Sequence, residues 1–502
     1  MLLSDIFRDA PDINIEALNT DSRKVIQNSM FFCLDGFITN GHKFIPQAIE
    51  NGAVAIVHSE DIKVYKDDVV YIKVDDVIDT LNRVVAKFYG YPSKNLYVYG
   101  VTGTNGKSTV TNIIKNIDDH FESCGYIGTI AIRYNETNLA PDLTTPDAIF
   151  MFEILRDMVN DGVDSVALEV SSHGLEQRRV DAIDFDVAIF TNFTYDHLDF
   201  HGTMENYFAA KRKLFLNMKE DGVAIINADD AKCNDLINSC VCRVVTYGVT
   251  NECDYKAENI NLRMDGSSFD LNVKGKSYHV ETNMIAMYNI YNLLAAICGL
   301  AESGKDIKQV IKFAKDIHQI DGRLEIIREG QPFNVIVDFA HTPDGLKKIF
   351  EYAEMITEKG GDIIAVFGSA GKRDTAKRPV FGEVASEYAD MIILTEDDPR
   401  DENPQEIAEE IKSGIKKGVK NIFIEDRYDA IRQAIEGAND KDTILILGKG
   451  DEVFMYRESG RSGRLFGIGH AAAIKLPAFV HTDLASGSRN INRSHYQTSD
   501  ED

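Results

Sequence analysis

Gly100-Val101-Thr102-Gly103-Thr104-Asn105-Gly106-Lys107-Ser108-Thr109 is the stretch that decides the fold. An apolar run, Leu96 to Val101, leads into it, and a helical pattern, Val110 to Ile117, follows it. Glycines at such a junction let the backbone turn tightly and aim successive N–H groups at phosphate oxygens. The Lys107 ammonium would reach the β- and γ-phosphates, and Ser108 or Thr109 offers a hydroxyl to Mg²⁺. The spacing departs from the usual G-x4-GK pattern, because position 101 is Val. A glycine turn capping a helix, with an exposed lysine, would explain Gly106-Lys107-Ser108 alone. The strand before it and the second hydroxyl after it favour nucleotide binding, with Gly103, Thr104, Asn105, Gly106, Lys107, Ser108 and Thr109 as the contacts.

Outward from this junction, apolar runs of strand length alternate with helical stretches. Ser165 to Val170, Phe185 to Thr191 and Gly222 to Asn227 have the character of Leu96 to Val101. Phe333 to Asp338, Asp362 to Phe367, Asp390 to Thr395, Asn421 to Ile424 and Asp442 to Leu447 repeat it. This alternation implies an α/β fold with parallel sheets. Tyr91-Pro92-Ser93-Lys94-Asn95 reads as a linker and Asp321-Gly322-Arg323 as a second boundary. The expected blocks are 1–93, 94–321 and 322–480, with a disordered tail over 481–502 that has little to bury.

The length of 502 residues agrees, at about 150 residues per domain. Acidic side chains outnumber basic ones 80 to 54, a formal net charge of −26. That balance argues against nucleic acid and anionic membranes as partners, since both need a positive surface. Small anionic ligands stay open, because a local basic cluster acts within a Debye length of about 8 Å. No stretch approaches the roughly 20 apolar residues of a membrane span, and Met1 to Asp12 lacks a signal pattern. The 7 cysteines are scattered without a CxxC pair, so reduced thiols are expected rather than disulfides or zinc.

Polar residues cluster just after the apolar runs, where open parallel sheets gather their ligands. These are Glu169-Val170-Ser171-Ser172-His173-Gly174, the Thr191 to Gly202 stretch, and Tyr207 to Lys213 within a helical pattern. Glu169 and His197 suit a Mg²⁺ held by a carboxylate and an imidazole. Each also has a plain reading: a strand-end carboxylate, a capping histidine and, for Lys211, a solvated helix lysine.

Together these segments resemble the Mur ligases, ATP-dependent amino-acid ligases that build the peptide stem of bacterial peptidoglycan. Within that family the likeness is to members that add the third, diamino acid. The motifs carrying it are Thr102 to Thr109, Thr144-Thr145-Pro146-Asp147, Glu169 to His173, Asp196 to Gly202, Asp338 to Asp344, and Asp397-Asp398-Pro399-Arg400. The likeness runs from Thr20-Asp21-Ser22-Arg23 to about Glu452.

The resemblance implies a central P-loop-type ATPase domain on a parallel sheet. A Rossmann-like C-terminal domain would take the amino acid, and an α/β N-terminal domain the UDP end of the substrate. It implies catalytic roles for Lys107, Glu169, His197 and Lys211. Two Mg²⁺ ions would be held by Ser108, Glu169, His197 and Lys211, the last carbamylated by CO2. Asn289, Asn292, Arg323, Asp338 and His341 match ATP contacts, although Met284 to Met287 lacks the glycine the family carries there. Ser22 and His42 match the uridine end, and Thr144, Thr145, Ser171, Gln177 and Arg179 the muramoyl-dipeptide. The implied partners are UDP-N-acetylmuramoyl-L-alanyl-D-glutamate, ATP and a diamino acid, in the bacterial cytoplasm, with a monomer as the expectation.

Arg373, Asp397, Asp398, Arg400, Gly448 and Glu452 match the amino-acid pocket. Members that add meso-diaminopimelate carry Asp-Asn-Pro-Arg, whose Arg pairs with the distal carboxylate. Here Asp398 replaces the Asn, and Asp451 stands where the family often has His. Both changes add negative charge, which leans the expectation towards lysine over meso-diaminopimelate. The rival readings are a folylpolyglutamate synthase, which lacks the N-terminal block, and a catalytically silent nucleotide-binding paralogue.

Overall fold

The computed structural model describes residues 1–462 except 37–38, 64, 318–319, 451, 453–454 and 458–459. The tail expected over 481–502, and Asp451, lie outside the described residues. Short apolar runs build the first sheet from β1 (Ala17–Asn19), β2 (Ser29–Phe32), β3 (Ala53–His58) and β4 (Val70–Lys73), all parallel and in that order. Their alternating side chains divide between two cores, as the two-residue period of a strand requires. Phe31 and Ile56 pack with Ile45 and Ala48 of the adjoining helix. Met30, Phe32, Ala55 and Val57 pack into the same cluster as Val98 and Phe190 of the next sheet and Leu155 of the helix Ala148–Asn160. The linker at Tyr91 to Asn95 thus separates two sheets, while one apolar core runs across it.

The second sheet is formed by β5 (Tyr97–Thr102), β6 (Cys124–Ile127), β7 (Ile132–Tyr134), β8 (Thr137–Leu139), β9 (Ser165–Glu169), β10 (Val187–Phe190), β11 (Val223–Asn227), β12 (Arg243–Gly248), β13 (Tyr255–Arg263), β14 (Gly266–Val273) and β15 (Lys276–Thr282). Their order is β15-β14-β13-β12-β11-β10-β5-β9-β6-β7-β8. The middle strands are buried along their whole length, which is why they read as unbroken apolar runs rather than alternations. Each buried aliphatic side chain there contributes about 1.5–3 kcal/mol. β5 lies between β9 and β10, parallel to both, so its carboxyl end is the point where chain connections part to either side.

The third sheet is formed by β16 (Glu325–Ile327), β17 (Asn334–Asp338), β18 (Ile363–Phe367), β19 (Met391–Leu394), β20 (Lys420–Phe423) and β21 (Thr443–Leu447). Its order is β16-β17-β21-β18-β19-β20, with β16 antiparallel at the edge. A two-stranded ribbon, β22 (Met455–Arg457) and β23 (Gly460–Ser462), follows. The nine expected runs all become parallel strands within a few residues. The parallel strands β1 to β4, β6 and β12, and the strands β7, β8 and β13 to β16 with their antiparallel pairings, fall outside those runs. Among the described residues no helix is long and apolar enough to cross a membrane.

Candidate active site

Strand ends of the second and third sheets meet at a cavity of about 1160 Å³. The phosphate loop forms its floor. Gly103 (φ +152°) and Gly106 (φ +88°) shape the turn, and the helix Lys107–Asp118 starts immediately after. A Cβ at Gly103 would lie 1.9 Å from Thr191 Oγ1, and one at Gly106 2.3 Å from Asn292 Oδ1, so neither position admits a side chain. The loop is bound to the end of β10: Thr104 N donates to Asn192 O at 2.9 Å, and Asn105 N to Asn192 Oδ1 at 2.9 Å. The Lys107 ammonium donates to the carbonyls of Gly103 (3.0 Å) and Thr104 (2.9 Å). Burial lowers its pKa, against the pull of Glu169 and Asp196.

Glu169 ends β9 and is fully buried. Its Oε1 accepts from Tyr126 Oη at 2.7 Å and Thr129 N at 2.9 Å, and its Oε2 from Ser108 Oγ at 2.9 Å. Donors on both oxygens fix the orientation of the carboxylate. Lys211 projects from the helix Met204–Leu216, whose N-cap is Thr203. It is 1% exposed, donates to Gly103 O at 2.6 Å, and lies 4.5 Å from the centre of the Tyr207 ring. Burial, with Lys107 adding to it, drives the Lys211 pKa well below the usual range. This is a buried lysine whose surroundings disfavour the charged form, not the solvated helix lysine of the plain reading.

His197 Nε2 lies 3.2 Å from Asp196 Oδ2, and His341 Nε2 approaches the same oxygen to 3.9 Å from the third sheet. Burial disfavours charge on Asp196, but His197, His341 and Lys377 outweigh it and hold its pKa at about 2. His341 Nδ1 is 2.8 Å from Phe339 O, which places its ring proton there. Arg323 lies 4.0 Å above the Phe339 ring and reaches Ser108 Oγ at 3.4 Å. Asp338 accepts from Leu324 N (2.6 Å) and Ala340 N (2.7 Å), tying β17 to the crossing between sheets. Asn289 and Asn292 line the cavity and bond to each other at 3.0 Å. Just before them, where the family's glycine is missing, Ala286 takes φ +68°, ψ 148°.

Arg373 and Arg400 line the same cavity. Burial and the neighbouring Arg373 both lower the Arg400 pKa, so the pair is a site that calls for an anion. Asp397 packs so closely on Gly448 that a Cβ there would meet its Oδ2 at 2.3 Å. The expectation that Asp398 adds unbalanced negative charge is not met. Its Oδ1 accepts from Lys449 Nζ at 2.7 Å and Tyr456 N at 3.0 Å. Lys449, 1% exposed, also pairs with Glu452 at 2.6 Å. The premise for favouring lysine therefore falls, since Asp398 serves a buried cation of the chain itself.

Thr144, Ser171 and Arg179 line the cavity. Thr145 stands behind it, accepting from Ser171 N at 2.9 Å, and Gln177 Oε1 is engaged by Arg179. Ser22 and His42 lie apart, on the first sheet's side. Ser22 Oγ donates to Gln47 Oε1 at 2.6 Å. His42 uses both ring nitrogens internally, one with Asn40 Oδ1 (2.7 Å), the other accepting from Ser59 N (3.2 Å) and Glu60 N (3.3 Å). Its ring is thus committed to shaping its own loops. Sequence reasoning overlooked Tyr126, Thr129, Lys377 and Lys449, and quoted Asp196 without assigning it a role. The adjacency of Asp196 to His197 was the one signal that could have been used.

Three family models match in order: "Mur ligase family, catalytic domain" over residues 14–89, "Mur ligase middle domain" over 101–300, and "Mur ligase, glutamate ligase domain" over 322–450. The UDP-N-acetylmuramoyl-L-alanyl-D-glutamate–2,6-diaminopimelate ligase of Halalkalibacterium halodurans is 39% identical over 448 residues, 88% of this chain and 90% of that protein. The enzyme of the same name from Clostridium botulinum is 40% identical over 447 residues, covering 87% and 90%. A solved structure of a ligase so named superposes with a TM-score of 0.67 at 30% identity, over 96% of this chain and 99% of that one.

Proposed function

The chain belongs to the Mur ligase family, and on that premise we propose that it joins 2,6-diaminopimelate to UDP-N-acetylmuramoyl-L-alanyl-D-glutamate, converting ATP to ADP and phosphate. The observation that carries the reading is one cavity lined both by the phosphate loop and by Arg373 and Arg400. The substrate carboxylate attacks the γ-phosphorus and releases ADP, giving an acyl phosphate. The amine then displaces phosphate and loses a proton. Two anions meet in the first step, so positive charge held in place is the main requirement. Lys107 supplies it from the loop, and Arg323 lies beside it.

The residues present fit Mg²⁺: the Glu169 carboxylate and Ser108 hydroxyl are oxygen donors 2.9 Å apart on the cavity wall. When bound, the ion would neutralise charge on the γ-phosphate. Lys211 fits a carbamate: its unprotonated amine adds to the carbon of CO2 and loses one proton, leaving an oxygen anion at a position where burial disfavours the ammonium. With His197 it would then hold a second ion. We assign residues 1–93 to the UDP end, 94–321 to ATP and 322–480 to the amino acid, in the bacterial cytoplasm.

Diaminopimelate is favoured over lysine for a physical reason. Two adjacent guanidiniums need a carboxylate at the distal end of the incoming molecule, and lysine has none there. The test is phosphate release with ATP, Mg²⁺ and the UDP-muramoyl-dipeptide against a panel of diamino acids. Release that depends on meso-diaminopimelate is expected. Equal or higher kcat/KM for lysine would reverse the assignment, and release on folate alone would favour a folylpolyglutamate synthase.

A further inference from the structure

We infer that Asp344 is a positioning residue for ligation, seating the third sheet on the phosphate loop through Asn105; this rests on the ligase reading above. The Asn105 backbone is held at both ends: its N donates to Asn192 Oδ1 at 2.9 Å, and its O accepts from Thr191 Oγ1 at 2.6 Å. A residue so fixed has its side chain aimed by the loop. That amide reaches across to the third sheet's segment. Nδ2 donates to Asp344 Oδ2 at 3.2 Å, and Oδ1 accepts from Thr342 Oγ1 at 3.4 Å.

The far side is aimed as well. Asp344 lies in the first turn of the helix Pro343–Ile356, and Lys348, one turn on, donates to the same Oδ2 at 2.7 Å. Thr342 caps that helix by accepting from Gly345 N at 3.0 Å. The same segment carries Asp338 and His341 on the cavity wall. An acid in a first turn is already favoured by the helix dipole, but the dipole does not account for the amide of Asn105 meeting it. The contact therefore joins the loop that would hold the phosphates to the sheet that would present the amine. Misplacement by about 1 Å between reacting groups costs on the order of 10²-fold in rate, so its effect belongs on turnover and amine KM rather than on ATP affinity.

A double-mutant cycle tests this on the full chain. Asn105→Asp sets two carboxylates against each other and is expected to lower kcat/KM for diaminopimelate at least about tenfold. Adding Asp344→Asn restores one amide facing one carboxylate with unchanged pair charge, and is expected to recover at least about fivefold of that loss. A double variant no better than Asn105→Asp overturns the positioning role. Small-angle scattering reads the same contact without turnover: Asn105→Asp should enlarge the radius of gyration and the double variant should restore it. Identical radii in the parent and Asn105→Asp overturn the inference, whereas a parent without turnover but with the expected radii overturns the ligase reading alone.

Discussion

Gly128→Ala sets two effects of opposite sign against each other. Reduced freedom of the unfolded chain would stabilise the variant by about 0.4–1 kcal/mol. The new Cβ, however, would lie 2.1 Å from Glu169 Oε1 and 2.7 Å from Tyr126 Oη, where real contacts stay above 3.0 Å. Oε1 is the oxygen that Tyr126 Oη and Thr129 N hold at 2.7 and 2.9 Å. Hydrogen bonds to a charged group contribute about 1.5–3 kcal/mol each, so displacing the carboxylate costs about 3–6 kcal/mol, several times the entropic gain. The displaced carboxylate should also bind a divalent ion about 10–100-fold more weakly. Urea unfolding gives the first quantity, and Mn²⁺ titration followed by electron paramagnetic resonance the second. A variant as stable as the parent, with unchanged Mn²⁺ affinity, would refute the packing argument.

Lys211→Ala should lower turnover by about 10²–10³-fold while ATP still binds; unchanged turnover rules out the carbamate. Arg400→Ala should lower kcat/KM for diaminopimelate by about 10–100-fold. Asp398→Asn, which keeps an acceptor for Lys449, should change the diaminopimelate-to-lysine ratio by less than about threefold; an unchanged kcat/KM for diaminopimelate in Arg400→Ala, or a swing to lysine in Asp398→Asn, would contradict the assigned roles. Ala286→Gly should raise the unfolding free energy by about 0.5–2 kcal/mol, because φ +68°, ψ 148° is a region that favours glycine; a loss of stability in urea melts would count against the strain. Burial lowers the His341 pKa from 6.5 to about 4, so the unfolded chain takes up the proton first. Stability from this neutral ring is present above pH 6.5 and falls as pH drops towards 4. His341→Gln should flatten that dependence in unfolding measurements, and an unchanged slope would speak against it.

Nine parallel strands were legible because burial on both faces leaves an apolar run that needs no partner to be recognised, as at Val187–Phe190; β1 to β4, β6 and β12 fell outside the runs so recognised. β13 to β15 were not: they are half exposed, and a register shift between Glu258 and Asn261, with Asn259 at φ +51°, breaks their alternation. Lys107 and Glu169 were legible because a glycine turn or a strand end announces them locally. Tyr126 was not, since it sits in an apolar strand and its hydroxyl has meaning only beside Glu169, 43 residues away. The pairing of Asp398 with Lys449 spans 51 residues, so charge counting along the chain assigned Asp398 a specificity role that the buried lysine removes.

The core shared across the Tyr91 to Asn95 linker bears on how the chain is made. Met30, Phe32, Ala55 and Val57 share one cluster with Val77, Leu81 and Val85 of their own block and with side chains as far along the chain as Leu236. During synthesis, at roughly 5–20 residues per second, the first block waits on the order of ten seconds for the rest of that core. Throughout that interval the nascent chain holds a core only partly filled, open to chaperones and to neighbouring nascent chains. A truncation at residue 93 leaves it so.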